Sequence, residues 1–148
     1  MKNQRAGVYW TTVYLGFTLL VFPSLSMFGS TEDGDSPLAV HMKAINRGFR
    51  ELRRQLDDPE RTQANLALIA EIKEQVKGAR KEEPSKTSGL PESERGPFLE
   101  AFRTLLDEVV STLDELEIAV KANKSEEASA LVNKLNEQKK KGHNKFQE

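Results

Sequence analysis

Met42 and His143 are two residues of this sequence whose side chains could share one metal ion. The 148-residue chain contains three methionines, two histidines and no cysteine. A thioether favours soft metal ions, and an imidazole suits iron, copper and zinc. Without cysteine there is no disulfide, no thiolate metal site and no C-x-x-C-H attachment motif, so a bound group would be held without a bond to cysteine sulfur. Met42 and His143 can act together only if the fold brings them to one place.

The hydrophobic spacing from Ser36 onward is helical and predicts four helices joined by polar segments. Apolar residues recur every three or four positions, and no strand pattern is present. We predict a first helix from Pro37 to about Leu56, a second from about Pro59 to Lys81, a third from Pro97 to Asn123 and a fourth from Ser125 to Phe146. Ser36, Asp58 and Ser125 are the predicted N-caps. The polar segment 81–96, with two prolines and two glycines, is predicted to be a loop.

Four helices of similar length with short connections predict an all-α, antiparallel up-down-up-down four-helix bundle. In that topology Met42 and His143 lie at the same end on adjacent helices, each about 7.5 Å from its helix terminus. A thioether facing an imidazole across an apolar gap is the axial pair of six-coordinate haem iron. Phe98 and Phe146 lie in the terminal turns at that end and could provide walls for a flat macrocycle.

The same residue types also allow other interpretations. A methionine in an apolar stripe is commonly a core residue, and a histidine at the stripe's border needs no function. His41 flanks the stripe of the first helix about 60° from its centre, so helical phase also allows a His41/His143 pair. That pair could bind haem or a divalent metal ion.

The N-terminal 26 residues have the pattern of a secretory signal peptide. Lys2 and Arg5 precede an uncharged apolar run, residues 8–22, and the triplet 24–26 suits cleavage after Ser26. The run is about 15 residues, short of a typical membrane span, although an uncleaved anchor is the alternative. We therefore expect a cleaved signal at 1–26, a disordered segment at 27–35 and the bundle at 36–148. The mature chain should then be periplasmic, without stable membrane association.

Charge limits the classes of partner. The whole chain has a formal charge of −1, and removal of Lys2 and Arg5 makes the remainder more acidic. This balance predicts no nucleic-acid partner. We expect a monomer.

Short motifs spread over most of the chain occur in the order of a known family. They are Met42 with Asn46, Ala67-Leu68, Pro84-Ser85-Lys86, Phe102-Arg103 with Asp107 and Asp114, Ala122-Asn123, and Leu135 before His143. In this order they resemble periplasmic cytochrome b562. The resemblance implies non-covalent haem b, with Met42 and His143 as its axial ligands and with Phe102 and Leu106 lining the pocket. Gly142 departs from the family pattern, which has a bulky aromatic before the histidine.

The leading hypothesis is therefore a soluble periplasmic b-type cytochrome that exchanges single electrons with an unidentified redox protein. No acid/base dyad, nucleophile elbow or phosphate-binding loop is recognisable, so we do not expect an enzyme. One alternative is a haem-free periplasmic bundle that acts as a binding or stress-response module. Another is a divalent-metal binder that uses His41, His143 and nearby carboxylates.

Overall fold

Four α-helices make up almost all of residues 35–147, the part of the chain that the computed structural model describes. They are α1 (Pro37–Gln55), α2 (Thr62–Ala79), α3 (Glu92–Lys121) and α4 (Ser125–Phe146), with short 3₁₀ helices at Pro59–Arg61 and Ser85–Gly89. No strand occurs in this range. The predicted all-α four-helix bundle is confirmed. The predicted signal peptide and residues 27–34 of the predicted disordered segment lie outside the described residues.

Consecutive helices are antiparallel, as cross-helix contacts show. Lys73 of α2 pairs with Asp114 of α3. Arg80, which follows Lys73 at the C-terminal end of α2, pairs with Asp107, which precedes Asp114 in α3. Successive helices pack closely along their lengths, but α1 and α4 touch at few points. The bundle is therefore closed on three sides and loosely closed on the fourth.

The core is built from the apolar stripes of all four helices. Its fully buried members include Leu52, Ile69, Ile72, Leu113, Leu116 and Leu135. Burying a leucine or isoleucine side chain stabilises a fold by about 1.5–3 kcal/mol. The shared core therefore fixes the relative positions of the helices. No helix within 35–147 combines the length and apolar character needed to cross a bilayer.

The helix ends follow the predictions in part. The Ser36 side chain accepts a hydrogen bond from the Ala39 amide at 3.2 Å, as an N-cap should. Asp58 accepts one from the Glu60 amide at 3.0 Å, but it caps the 3₁₀ turn, and α2 begins only at Thr62. Ser125 was predicted as a cap and is instead the first residue of α4, whose start has no side-chain cap.

The junction between α3 and α4 turns at Asn123, which has a φ of 54°. Asparagine tolerates this left-handed conformation better than most residues, and such a residue commonly follows a helix. The third helix ends at Lys121, two residues before the predicted break at Asn123.

The start of α3 differs from the prediction, because the helix begins at Glu92 and contains Pro97. The Arg95 guanidinium donates to the carbonyl oxygens of Leu90 at 3.0 Å and Ser88 at 3.3 Å, which ties the first turn to the preceding segment. Acidic residues in the first turn are favoured by the positive end of the helix dipole, and Glu92 lies there. Part of the predicted loop at 81–96 is therefore helical.

An ion-pair group joins α2 to α3 on the outside of the bundle. The Lys73 ammonium lies 2.9 Å from a carboxylate oxygen of Glu117 and also pairs with Asp114. Lys121 donates to the other oxygen of Glu117. The hydrogen bonds from Lys121 and Lys73 lower the pKa of Glu117 to about 2. Hydrogen bonds to Asp114 and Glu117 raise the pKa of Lys73.

Candidate functional site

A cleft opens between the first turns of α1 and the last turns of α4, two helices that make few contacts with each other. Its cavity volume is about 220 Å³, below the roughly 300–1,000 Å³ range of ligand sites, and its mouth is open to solvent. Its apolar wall consists of Leu38, Ile45 and Phe49 from α1, Phe102, Leu105 and Val109 from α3, and Phe146 from α4. A ligand larger than this volume would therefore extend into the open mouth.

Met42 and His143 both line this cleft, from the two helices that flank it. Each is partly buried. Met42 lies on the inner stripe of α1 and packs against the core. His143 lies one turn before the end of α4, and buried Phe146 anchors that turn. The juxtaposition predicted from their equal depth is present in the structure.

Within the described part of the chain, His143 makes one side-chain hydrogen bond. Its Nδ1 atom pairs with the Oε1 atom of Gln147, and the Gln147 amide donates to the His143 carbonyl oxygen at 3.1 Å. The two residues are therefore joined twice across the last turn of α4. The ring edge that carries Nε2 makes no hydrogen bond to any residue in the range 35–147.

Two of the predicted wall residues border the cleft and two do not. Phe102 and Phe146 line it. Phe98 lies behind Phe146, edge-on, with the ring centroids 5.1 Å apart, while Phe102 contacts the same ring at 5.3 Å. Leu106 is buried in the core, because residues 102, 105 and 109 form the face of α3 toward the cleft and residue 106 is turned away from residue 105 by about 100°. Phe98 and Leu106 thus support the wall from behind.

His41 lies outside the cleft. Its Nδ1 atom is 2.9 Å from Oε1 of Gln75 on α2, and its ring sits over Gly78, where an added Cβ would lie 2.7 Å from Nε2. The lack of a side chain at Gly78 makes room for this ring. The structure therefore gives no His41/His143 pair.

A divalent-metal site is also not formed by these residues. No group of three or more histidine, cysteine, aspartate or glutamate residues in the described range could hold a metal ion. No carboxylate borders the cleft among these residues. Hard divalent ions prefer oxygen ligands, which the cleft does not supply from acidic side chains.

Several residues of the cleft were not among the predicted site residues. They are Asn46, Pro84, Ser85, Lys139, Gly142 and Gln147. Lys139 precedes His143 by one turn on the same face of α4, so its spacing from His143 indicates a place beside the same cleft. Gly142 lies beside Leu105, whose Cδ2 atom would be 3.2 Å from an added Cβ. Gln147 follows the last helical residue, so helical periodicity could not place it.

The lining fits a flat and mostly apolar metal complex. A thioether and a neutral imidazole supply two metal ligands, and the remaining wall is chiefly aliphatic and aromatic. Lys139 contributes the one charged group of the described lining and suits a cofactor that carries carboxylates. Haem has this combination of a planar apolar ring, carboxylates and two open axial positions.

A four-helix bundle with a methionine and a histidine in one apolar cleft is the arrangement of a helical haem protein. The sequence model of the Cytochrome b562 family matches residues 37–147, and the chain belongs to this family. This confirms the resemblance found in the sequence. The chain is therefore a helical, haem-binding cytochrome of the b type, from a family of electron-transfer haemoproteins that are not typically enzymes. No curated protein and no solved structure gives a match.

Proposed function

We propose that this protein is a soluble periplasmic cytochrome that binds one haem b without covalent attachment and carries single electrons. Met42 and His143 are its axial ligands in this proposal. The observation that supports it most is that these two side chains, from α1 and α4, line the same apolar cleft. Periplasmic location is proposed from the signal-like pattern of residues 1–26.

Met42 and His143 would bind the iron through ligand atoms of different chemistry. His143 offers an imidazole nitrogen, Nε2, on the ring edge that makes no hydrogen bond to the described residues. Met42 offers a thioether, a soft ligand that favours the ferrous state and raises the reduction potential. When bound, the haem supplies the one-electron couple of its iron.

The rest of the lining keeps water from the ligand atoms and holds the ring. Phe102 and Phe146, packed edge to face, form a firm aromatic wall. Leu105 and Val109 fill the α3 side, and Ile45 and Phe49 fill the α1 side. Burial in such surroundings disfavours the extra charge of ferric haem and acts in the same direction as the thioether.

Electron transfer is favoured over catalysis in this proposal because both axial positions would be filled by protein. With Met42 and His143 bound, no iron position stays open for oxygen or a substrate. The partner would then be another redox protein, which exchanges an electron near the open mouth of the cleft.

Expression of the full-length gene in a bacterium, followed by fractionation, tests the proposal. We expect a red protein in the periplasmic fraction that contains one haem per chain, with a low-spin spectrum that changes on reduction. A colourless protein that takes up no added hemin would refute haem binding. Recovery in the cytoplasm or membrane would refute the proposed location. His41→Ala is the matched control, because His41 lies outside the cleft and its loss should leave the colour unchanged.

A further inference from the structure

Gln147 is placed so that it can control the protonation of the His143 ring. Its backbone amide is held by the His143 carbonyl oxygen at 3.1 Å, and its side chain returns to the same residue, with Oε1 at Nδ1. An amide oxygen is only an acceptor. The proton of the neutral ring must therefore lie on Nδ1 when this hydrogen bond is made.

We infer that Gln147 is a positioning residue that fixes His143 in the Nδ1–H tautomer and leaves the Nε2 lone pair for a metal. This inference rests on the proposed function for the metal, but the tautomer itself is a property of the chain. In metal-binding histidines, the hydrogen bond made by one ring nitrogen decides which nitrogen binds the metal. It also fixes the rotation of the ring and raises the basicity of the ligand nitrogen.

Lys139 and Phe146, the neighbours of His143 on the same face of α4, cannot replace Gln147 in this role. Lys139, one turn earlier and also on the cleft, has an ammonium that only donates hydrogen bonds. The aromatic ring of Phe146 offers no conventional acceptor. Gln147 is exposed, so water competes for Nδ1, and the loss of hemin affinity should not exceed the lower limit of the roughly 10–100-fold range found for such supporting residues.

The second histidine provides an internal reference. His41 Nδ1 pairs with Gln75 Oε1 at 2.9 Å, which is the same chemical arrangement on another face of the bundle. Changes at Gln147 should alter His143 alone, and changes at Gln75 should alter His41 alone.

The test uses the exported protein prepared without haem and labelled with ¹⁵N. Two-bond ¹H–¹⁵N correlation spectra, recorded at a pH where each ring carries one proton, report which nitrogen is protonated. We expect His143 to be mainly Nδ1–H in the unchanged protein and to shift toward Nε2–H in Gln147→Leu, with His41 unaffected. Gln147→Glu keeps an acceptor and should keep the Nδ1–H form. Gln75→Leu should change His41 and leave His143 as it was.

A second readout follows the haem-loaded protein. Gln147→Leu should weaken hemin binding about three- to tenfold and raise the reduction potential, because the imidazole becomes a weaker donor. Gln147→Glu should restore the affinity and lower the potential, because a carboxylate accepts the Nδ1 proton more strongly.

The outcomes separate this inference from the proposed function. If His143 is mainly Nε2–H in the unchanged protein, or if its tautomer ignores Gln147→Leu, the inference is overturned, even where hemin still binds through His143. If the tautomer follows Gln147 but the chain takes up no hemin, the positioning of the ring is supported and the proposed function fails.

Discussion

Alanine substitution of two helical glycines should change stability in opposite directions. Gly142 lies in α4 and Gly78 in α2. In each case alanine is favoured over glycine by about 1 kcal/mol of helix propensity. The difference must therefore come from what the new Cβ atom meets.

Gly142→Ala should stabilise the haem-free bundle by about 0.5 kcal/mol. The new Cβ would lie 3.2 Å from Leu105 Cδ2 and within 4 Å of no other atom outside its own turn. Leu105 borders the cleft, so its side chain has space to move, and the contact should cost only a few tenths of the roughly 1 kcal/mol gained. We expect the melting temperature to rise by about 2–4 °C.

Gly78→Ala should destabilise the bundle by about 1–2 kcal/mol. The new Cβ would lie 2.7 Å and 2.9 Å from Nε2 and Nδ1 of His41, a rigid ring that is hydrogen-bonded to Gln75. Displacing the ring costs about 1–3 kcal/mol of overpacking and part of a hydrogen bond worth about 1 kcal/mol. These costs exceed the propensity gain, so the melting temperature should fall by about 4–10 °C.

Thermal and urea unfolding of the haem-free protein, followed by far-UV circular dichroism, measures both effects. In a His41→Ala background the obstacle is gone, so Gly78→Ala should become neutral or stabilising. If Gly78→Ala stabilised the unchanged protein as much as Gly142→Ala does, His41 would not pack over Gly78. The position of His41 outside the cleft would then be wrong.

Three further predictions concern the bundle. The pKa of Glu117 is lowered to about 2 in the fold, so its ion pairing stabilises the protein above pH about 4.5, and this stabilisation is lost as pH falls toward 2. Glu117→Gln should therefore weaken the fall in unfolding free energy at acid pH and, because surface ion pairs are screened, should cost about 1 kcal/mol or less at pH 7 in urea unfolding. An unchanged loss of stability at acid pH would contradict the pairing. Leu116→Ala should lower the free energy of unfolding by about 2–5 kcal/mol, since Leu116 is fully buried. Ile118→Ala should change it by less than about 0.5 kcal/mol, since the Ile118 side chain is 65% exposed. Similar losses in both variants would contradict the assignment of the core. The haem-free protein should stay helical by circular dichroism, with bound haem adding about 4 kcal/mol at a thousandfold excess over Kd, and a random-coil spectrum without haem would refute this.

The helices were predictable because their apolar stripes are long and regular. Each helix presents one face to a common core, and this requirement sets the spacing of the apolar residues independently of the loop sequences. The start of α3 was missed because Gly96 and Pro97 disfavour a helix locally. Arg95 ties the first turn to the preceding segment through hydrogen bonds to Leu90 and Ser88, and these local side-chain contacts have no periodic signature.

The site was predictable where it depended on depth along the bundle. Met42 and His143 lie at similar distances from one end, and the antiparallel topology then brings them together. Helical phase could not decide between Met42 and His41, since Met42 lies in the apolar stripe of α1 and His41 flanks it by only about 60°. The structure distinguishes them through Gly78, whose missing side chain admits the His41 ring on the α2 side. Gln147 lies just past α4, where no repeat applies.

The ferric absorption spectrum of axial-ligand variants tests the proposed Met42–His143 pair most directly. The unchanged protein should show the charge-transfer band of thioether-bound ferric haem. Met42→Ala should remove this band, keep hemin bound through His143 and lower the potential, while His143→Ala should abolish tight binding and His41→Ala should change neither. If His41→Ala abolished the low-spin spectrum while Met42→Ala left the thioether band intact, the Met42–His143 assignment would be contradicted.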